Sequence, residues 1–457
     1  MTVALDLARQ ALSEAKGDAL VTVTRERSTM LRFARSRPTQ ATSIDDLTVE
    51  IAVLRAGHVG RAATNRADRD ALTDCARAAV AAAQAAAGRA GEGHFPGFPS
   101  PAPLRGHHGF DADTAQLDPE TGGVALRAAF DVATRRGVEV GGIWTVGHVE
   151  TAIASSTGVE VNDRVTDAFM KVIATAPTQR TGYAAQTAVA TSAIDAFAIA
   201  ERATDKATTP SEPETIEPGE HPVVMEPHAV SELLWTLGET AFDGLAHAEG
   251  RGALSGRLGT RVVSPAINLS DSPRFHSTLP RDFDAEGLPK APIPLIQDGV
   301  AHRVVHDTRS AAVAGGATAS TGHALVPGGQ AFGPRPTNMV LIGGGAEDEQ
   351  ELCAPIERGI YITRLWYTNV VRPADTLFTA VTRDGTFLIE NGQITRPLHD
   401  IRITDSALRV LSHVQALGAR TTLTSDGEFY GRRSATGTVC PPLRATAVRF
   451  TGSASQT

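Results

Sequence analysis

The chain has 457 residues, of which 42% are hydrophobic, 21% charged and 5% aromatic. That length suggests two or three domains, and the composition excludes fibrous and disordered classes. With 43 Lys and Arg against 51 Asp and Glu the net charge is −8, so no direct nucleic-acid contact is expected, because a broad nucleic-acid surface needs a cationic field.

The first residues space Val3, Leu5, Ala8, Leu12 and Ala15 at helical intervals, with Asp6, Arg9 and Glu14 between them. This is an amphipathic helix and not a signal peptide. Residues 19–24 and 29–34 read as a hairpin around Arg25-Glu26-Arg27-Ser28, and residues 48–54 and 58–63 as another around Arg55-Ala56-Gly57. The basic run Arg25, Arg27, Arg32, Arg35 and Arg37 then falls on exposed hairpin faces. An alanine-rich helix follows Asp68, a suitable N-cap. Proline and glycine mark residues 91–103 as a loop. A helix is expected over 119–136, strands over 138–146 and 148–155 with a turn at Gly147, a strand over 168–176 and a helix over 192–204. The proline- and glutamate-rich stretch 208–222 reads as a linker. The expected fold class is therefore α+β, with an N-terminal α+β domain (1–210) and a strand-rich C-terminal domain (220–457). The latter opens with a helix from His228 to about Ala248. Short apolar runs follow, separated by turn signals such as Arg383-Asp384-Gly385 and Glu390-Asn391-Gly392. A last helix is expected within 406–417.

No apolar run approaches the ~18 residues of a membrane span. The three cysteines, Cys75, Cys353 and Cys440, are widely spaced with no C-x-x-C pair. Neither a disulfide framework nor a thiolate zinc site is indicated, and a cytoplasmic location is expected.

The chemistry-bearing candidates are few. A zinc peptidase needs about three protein ligands, an open position for water and a carboxylate to take the water's proton. None of the fourteen histidines stands in a His-Glu-x-x-His relation. His302 and His306 lie on a strand-like segment, where four residues separate them by ~13 Å. Glu239, Asp243 and His247, spaced four and four, form one stripe if a single helix carries them. That stripe is either a weak metal candidate or an ordinary solvated face. Gly343-Gly344-Gly345 lacks the lysine of a phosphate loop, and Ser320 is not in a G-x-S-x-G elbow.

Several fragments resemble the TldD/TldE family, in which TldE is also called PmbA. They are Leu31-Arg32-Phe33-Ala34, Ala154-Ser155-Ser156-Thr157-Gly158, Thr318-Ala319-Ser320-Thr321-Gly322-His323-Ala324, Pro334-Arg335-Pro336-Thr337-Asn338, Ile356-Glu357-Arg358-Gly359-Ile360-Tyr361 and Phe387-Leu388-Ile389-Glu390-Asn391-Gly392-Gln393-Ile394. Together they span essentially the whole chain. The resemblance implies a heterodimeric metallopeptidase acting on small or unfolded peptides. Its zinc sits in the TldD-type subunit, on a His-Glu-x-x-x-His helix and a distant cysteine, and the TldE-type subunit lacks these ligands. Carried over by position, the motif falls on Gly238, Glu239 and Asp243, with no cysteine near Ser425-Asp426-Gly427-Glu428.

The chain is thus expected to be a non-catalytic, TldE-type subunit without catalytic residues or cofactor of its own. Zinc is expected in a TldD-like partner, and Thr321, Gly322 and Asn338 are candidates for contacts to peptide. Two alternatives follow from the same residues: an active peptidase with atypical ligands at Glu239, Asp243 and His247, or a regulatory interaction protein of the gyrase-modulator type.

Overall fold

The structure is a computed structural model that describes residues 3–90, 93–425 and 431–453. Met1, Gly91 at the head of the proline-rich loop, and Asp426-Gly427-Glu428 lie outside the described residues. Among those described, no helix is long and apolar enough to cross a membrane.

The N-terminal half is one antiparallel sheet. Its strands are β1 (Ala19–Ala34), β2 (Arg37–Arg55), β3 (His58–Thr64), β4 (Glu139–Ser155), β5 (Glu160–Thr175) and β6 (Thr181–Ala188), in the order β3-β2-β1-β4-β5-β6. Four helices pack on it: α1 (Val3–Glu14), α2 (Arg69–Ala90), α3 (Pro119–Arg136) and α4 (Ala196–Ala207). All four use one face. Ala19, Val21 and Val23 of β1, with Ala152 and Ala154 of β4, meet α1 and α2. Val140, Trp144 and Val146 of β4 meet α3 and α4. Because side chains alternate along a strand, the intervening residues face the other way. There Leu20, Ile153 and Val161 pack against Phe283 of the C-terminal half.

Three expected turns are absent. β1 runs unbroken through Arg25–Ser28 and pairs with β4 across that stretch. β4 runs unbroken through Gly147. A later strand runs through Arg383–Gly385. In each case a residue that locally favours a turn answers to a partner from elsewhere in the chain. Glu26 and Ser28 are buried and hydrogen-bonded to each other at 2.8 Å, and Glu26 also accepts the Arg433 amide at 2.7 Å. At Gly147 a Cβ would lie 2.1 Å from Arg433 Nε. The glycine is the slot through which Arg433 reaches Asp167, at 2.6 and 2.8 Å, and Thr145, at 3.0 Å. The hairpin β2–β3 and the Asp68 cap (Oδ1 to Ala71 N, 3.0 Å) form as expected.

The C-terminal half begins with β7 (Gly219–Met225), α5 (Pro227–Thr240) and α6 (Gly244–Ala248). Then come β8 (Leu269–Asp271), β9 (Ile293–Gln297), β10 (Val300–Ala301), α7 (Thr308–Ala314), β11 (Met339–Leu341) and α8 (Glu349–Cys353). The remaining elements are β12 (Arg358–Arg372), β13 (Leu377–Glu390), β14 (Gln393–Pro397), β15 (Ile401–Ser406), α9 (Ala407–Ser412), β16 (Val414–Leu417), β17 (Thr422–Thr424), β18 (Thr438–Cys440) and β19 (Leu443–Ser453). One sheet has the order β10-β9-β8-β11-β18-β17. In the other, β7 pairs with both β12 and β19, β19 with β15, β15 with β13, and β13 again with β12. That ring closes a five-stranded barrel. The same apolar core holds Val223 and Met225 of β7, Ile360 and Ile362 of β12, and Leu233, Leu234 and Leu237 of α5. The β13–β14 turn uses Asn391 and Gly392 at φ 48° and 77°, as an Asn-Gly hairpin requires.

Candidate functional site

The helix carrying Gly238 and Glu239 starts with Pro227 at its first turn and buries Ala229, Val230, Leu233, Leu234 and Leu237. It does not continue to Ala248. Phe242 is fully buried, and its carbonyl accepts Val305 N at 3.0 Å. Asp243 leaves the helical conformation and caps α6, with Oδ1 accepting Leu245 N at 2.8 Å and Ala246 N at 3.2 Å. The stripe of Glu239, Asp243 and His247 expected from a single helix is therefore broken. The three residues stand on two helices joined by a cap.

Each potential donor already has other work or no partner. Gly238 offers no side chain, and a Cβ there would meet the Met339 side chain, with Cε at 3.2 Å and Sδ at 3.6 Å. The Glu239 carboxylate is ion-paired with Arg335. Burial raises Glu239 above its ordinary value, and Arg335 offsets that only in part. Burial pushes Asp243 up to about 6, against the Ala246 and Leu245 amides that favour its charge. Gly333, at φ 69°, presses on the same carboxylate, for a Cβ there would lie 2.0 Å from Asp243 Oδ1. Burial lowers the His247 pKa, and its Nδ1 is buried without a hydrogen bond. The neighbouring His306 bonds Ser310 Oγ through Nδ1 at 3.2 Å, and burial lowers its pKa. No three His, Cys, Asp or Glu side chains among the described residues converge as metal ligands. A zinc ion needs about three such donors, so these residues do not fit one.

Thiol chemistry is equally disfavoured. Cys75, Cys353 and Cys440 are buried and free. Burial raises Cys75, pushes Cys353 up to about 12 and raises Cys440 further, so none is a ready thiolate.

Thr321, Gly322 and Asn338 are brought together around one buried ionic cluster that sequence reasoning missed. Asp271 accepts His323 Nε2 at 2.7 Å and the Asn338 amide at 3.1 Å, with Lys290 Nζ at 3.6 Å. Lys290 also donates to the Gly322 carbonyl at 3.4 Å, and Thr321 Oγ1 lies 3.0 Å from His323 Nδ1. Asn338 is fully buried and donates its side-chain Nδ2 to the Leu279 carbonyl at 2.6 Å. Thr321 is half-buried and takes the His306 amide at 2.7 Å. A second cluster lies beside it. Asp284 accepts the Glu286, Leu288 and Ala324 amides, and Glu286 accepts Thr308 and Gly328. Burial raises both carboxyls, and for Glu286 the Asp284 charge adds to it. No local spacing announces the ionic cluster, because Asp271, Lys290, His323 and Asn338 are far apart in the chain, and Asp284 and Glu286 meet Ala324, Thr308 and Gly328 only through the fold.

A third cluster spans the two halves. Glu226, at the start of α5, is 2% exposed and meets Lys206 Nζ at 2.7 Å, Arg202 at 3.0 Å and Tyr361 Oη at 2.8 Å. Burial alone would raise Glu226. Lys206 and Arg202 more than offset it and bring the carboxyl down to about 2.

Comparison with known proteins matches this architecture throughout. Three family profiles align in order: PmbA/TldA metallopeptidase domain 1 over residues 19–83, the central domain over 110–209 and the C-terminal domain over 218–452. TldE from Thermococcus kodakarensis superposes with a TM-score of 0.84 at 19% identity, covering 98% of this chain and 99% of that one. A candidate modulator of a DNA gyrase from Thermotoga maritima gives 0.83 at 21% identity, with 98% and 99% covered. Curated relatives are more partial. A metalloprotease from Methanothermobacter thermautotrophicus is 25% identical over 37% of each chain. A metalloprotease TldD homolog from Haemophilus influenzae is 25% identical over 37% of this chain and 34% of its own. The chain thus spans about a third of the length of the curated relatives it matches.

Proposed function

The chain belongs to the PmbA/TldD family of metallopeptidases, and on that premise we propose that it is a non-catalytic subunit of a peptidase complex. Its partner would be a TldD-like chain that supplies zinc, its substrates small or unfolded peptides, and its location the cytoplasm. One observation carries this reading. At the motif positions Gly238 has no donor, Glu239 is held by Arg335, and Asp243 is spent on the α6 cap. A catalytic zinc there would need these interactions undone as well as new ligands supplied. Thr321 and Gly322 are proposed to shape the chamber wall, with the buried Asn338 holding the loop behind them.

The test is reconstitution. The purified chain alone is expected to contain far less than stoichiometric zinc and to leave peptides uncut, and to form a complex with a TldD-like chain. Chelator-sensitive peptide hydrolysis by the isolated chain would overturn the reading in favour of an atypical site on Glu239, Asp243 and His247.

A further inference from the structure

Between the two halves lies a cleft of about 500 Å³ that shares no residue with the motif positions. One wall is the β5–β6 turn, with Thr178 and Arg180. The other is barrel-side chain, with Asp384, Thr386 and Asp400. Its volume falls in the range of small-molecule sites.

The cations that line it are already engaged. Lys206 is bound to Glu226, and Arg180 donates to the Ser211 carbonyl and to Thr178 Oγ1 at 3.1 Å. Asp384 is buried and held by Arg364 Nε at 2.8 Å. Asp400 is different. Its carboxylate accepts no hydrogen bond and makes no close ion pair among the described residues. Burial and then the Asp384 charge push it up to about 6, against weaker help from Arg383, Arg364 and His399. A second, independent vacancy faces the same cleft. Thr386 is 3% exposed, lines the cavity and has a buried Oγ1 with no partner. Buried polar groups are nearly always satisfied, so the Thr386 hydroxyl asks for a partner, and the half-buried Asp400 carboxylate lines the same cleft without one from the described residues.

The chemistry narrows what that ligand is. An unpaired carboxylate with an orphan hydroxyl wants a positively charged hydrogen-bond donor. A metal ion would need a third ligand, and no such group converges here among the described residues. A primary ammonium needs only acceptors, which both groups are. We propose that this cleft binds a small α-ammonium compound, either a free amino-acid derivative or the amino terminus of a short peptide, with Asp400 as its anion and Thr386 Oγ1 as a second acceptor.

Calorimetric titration of the full chain tests this without any peptidase readout, so its outcome is separable from that of the proposed function. Glycinamide and triglycine amide carry the ammonium, and N-acetylglycinamide lacks it. Saturable binding of the charged probes, no binding of the acetylated one, and a loss of about tenfold or more in Asp400→Asn are expected. Tighter binding of the tripeptide assigns the site to peptide termini, and equal binding to free amino compounds. Failure of both charged probes to saturate would overturn the proposal. So would equal binding of the acetylated probe, which needs no variant, or unchanged affinity in a folded Asp400→Asn protein.

Discussion

The seam between the two halves and the loop cluster beside the motif both bury a glutamate, and they treat its charge in opposite ways. Glu226 at the seam is 2% exposed and surrounded by Lys206, Arg202 and the Tyr361 hydroxyl. Glu286 in the loop cluster is fully buried, touches Thr308 and the Gly328 amide, and has Asp284 for a neighbour. Similar burial accompanies one carboxyl brought down to about 2 and another pushed up to about 8. The partners decide, because burial penalises the charge in both places. The seam is a charged lock, and the loop cluster is a carboxyl pair in which burial and the Asp284 charge favour a proton on Glu286.

The same substitution should separate them. Glu226→Gln removes the counter-charge of the mostly buried Lys206 and leaves Arg202 with Glu349 alone, and a loss of about 3–5 kcal/mol in urea unfolding is expected. Gly147→Ala attacks the seam sterically. Its methyl would displace Arg433 and leave Asp167 buried and unpaired, a loss of roughly 3 kcal/mol. That loss should shrink sharply when measured in an Arg433→Met background. Glu286→Gln mimics a group that already holds its proton, so a change within about 1 kcal/mol is expected.

The pH profiles should differ in sign. Glu226 has a lowered folded pKa. Its contribution is complete above the unfolded value and is lost as pH falls toward about 2. Glu286 has a raised one, so its contribution is complete in acid and drains as pH rises above the ordinary carboxylate range. Asp243 behaves likewise, draining as pH rises through about 6. Urea midpoints from about pH 4 to about pH 8 should therefore fall less steeply in Glu286→Gln than in the unmodified chain. An identical slope would mean that Glu286 binds its proton equally in the folded and unfolded chain. The smallest effect is expected at Arg335→Ala, within about 1 kcal/mol because that ion pair is partly exposed. Metal content should stay unchanged.

Much of the fold was legible where local chemistry and tertiary demand agree. α3 spans Pro119–Arg136 as expected, because Asp118 caps it, Pro119 suits its first turn and Gly137 takes the left-handed stop at φ 65°. Local pattern misleads where a strand interior carries a residue whose partner lies elsewhere in the chain. Glu26 and Gly147 exist for Arg433. Asp384 and Gly385, at φ 54° and 126°, bend β13 so that Asp384 meets Arg364. All three segments imitate turns. The stripe of Glu239, Asp243 and His247 is broken for a similar reason, because Phe242 and Asp243 pair with Val305 and Asp243 caps the next helix. For the motif itself, the sequence shows that donors are missing. It does not show that Arg335 and the α6 cap have taken up the carboxylates that remain.

The closed ring of β7, β12, β13, β15 and β19 also sets an order of events during synthesis. The N-terminal sheet grows largely from neighbouring strands, so most of it can pair as it leaves the ribosome. The barrel cannot, because β7 is made first and β19 last, and each lies beside the other. Until Leu443–Ser453 emerges, β7 and β15 each keep a bare edge of the kind that recruits foreign strands. A chain stalled short of β19 would carry a paired first sheet and an adhesive second half, so the emergence of β19 is the step that removes both bare edges.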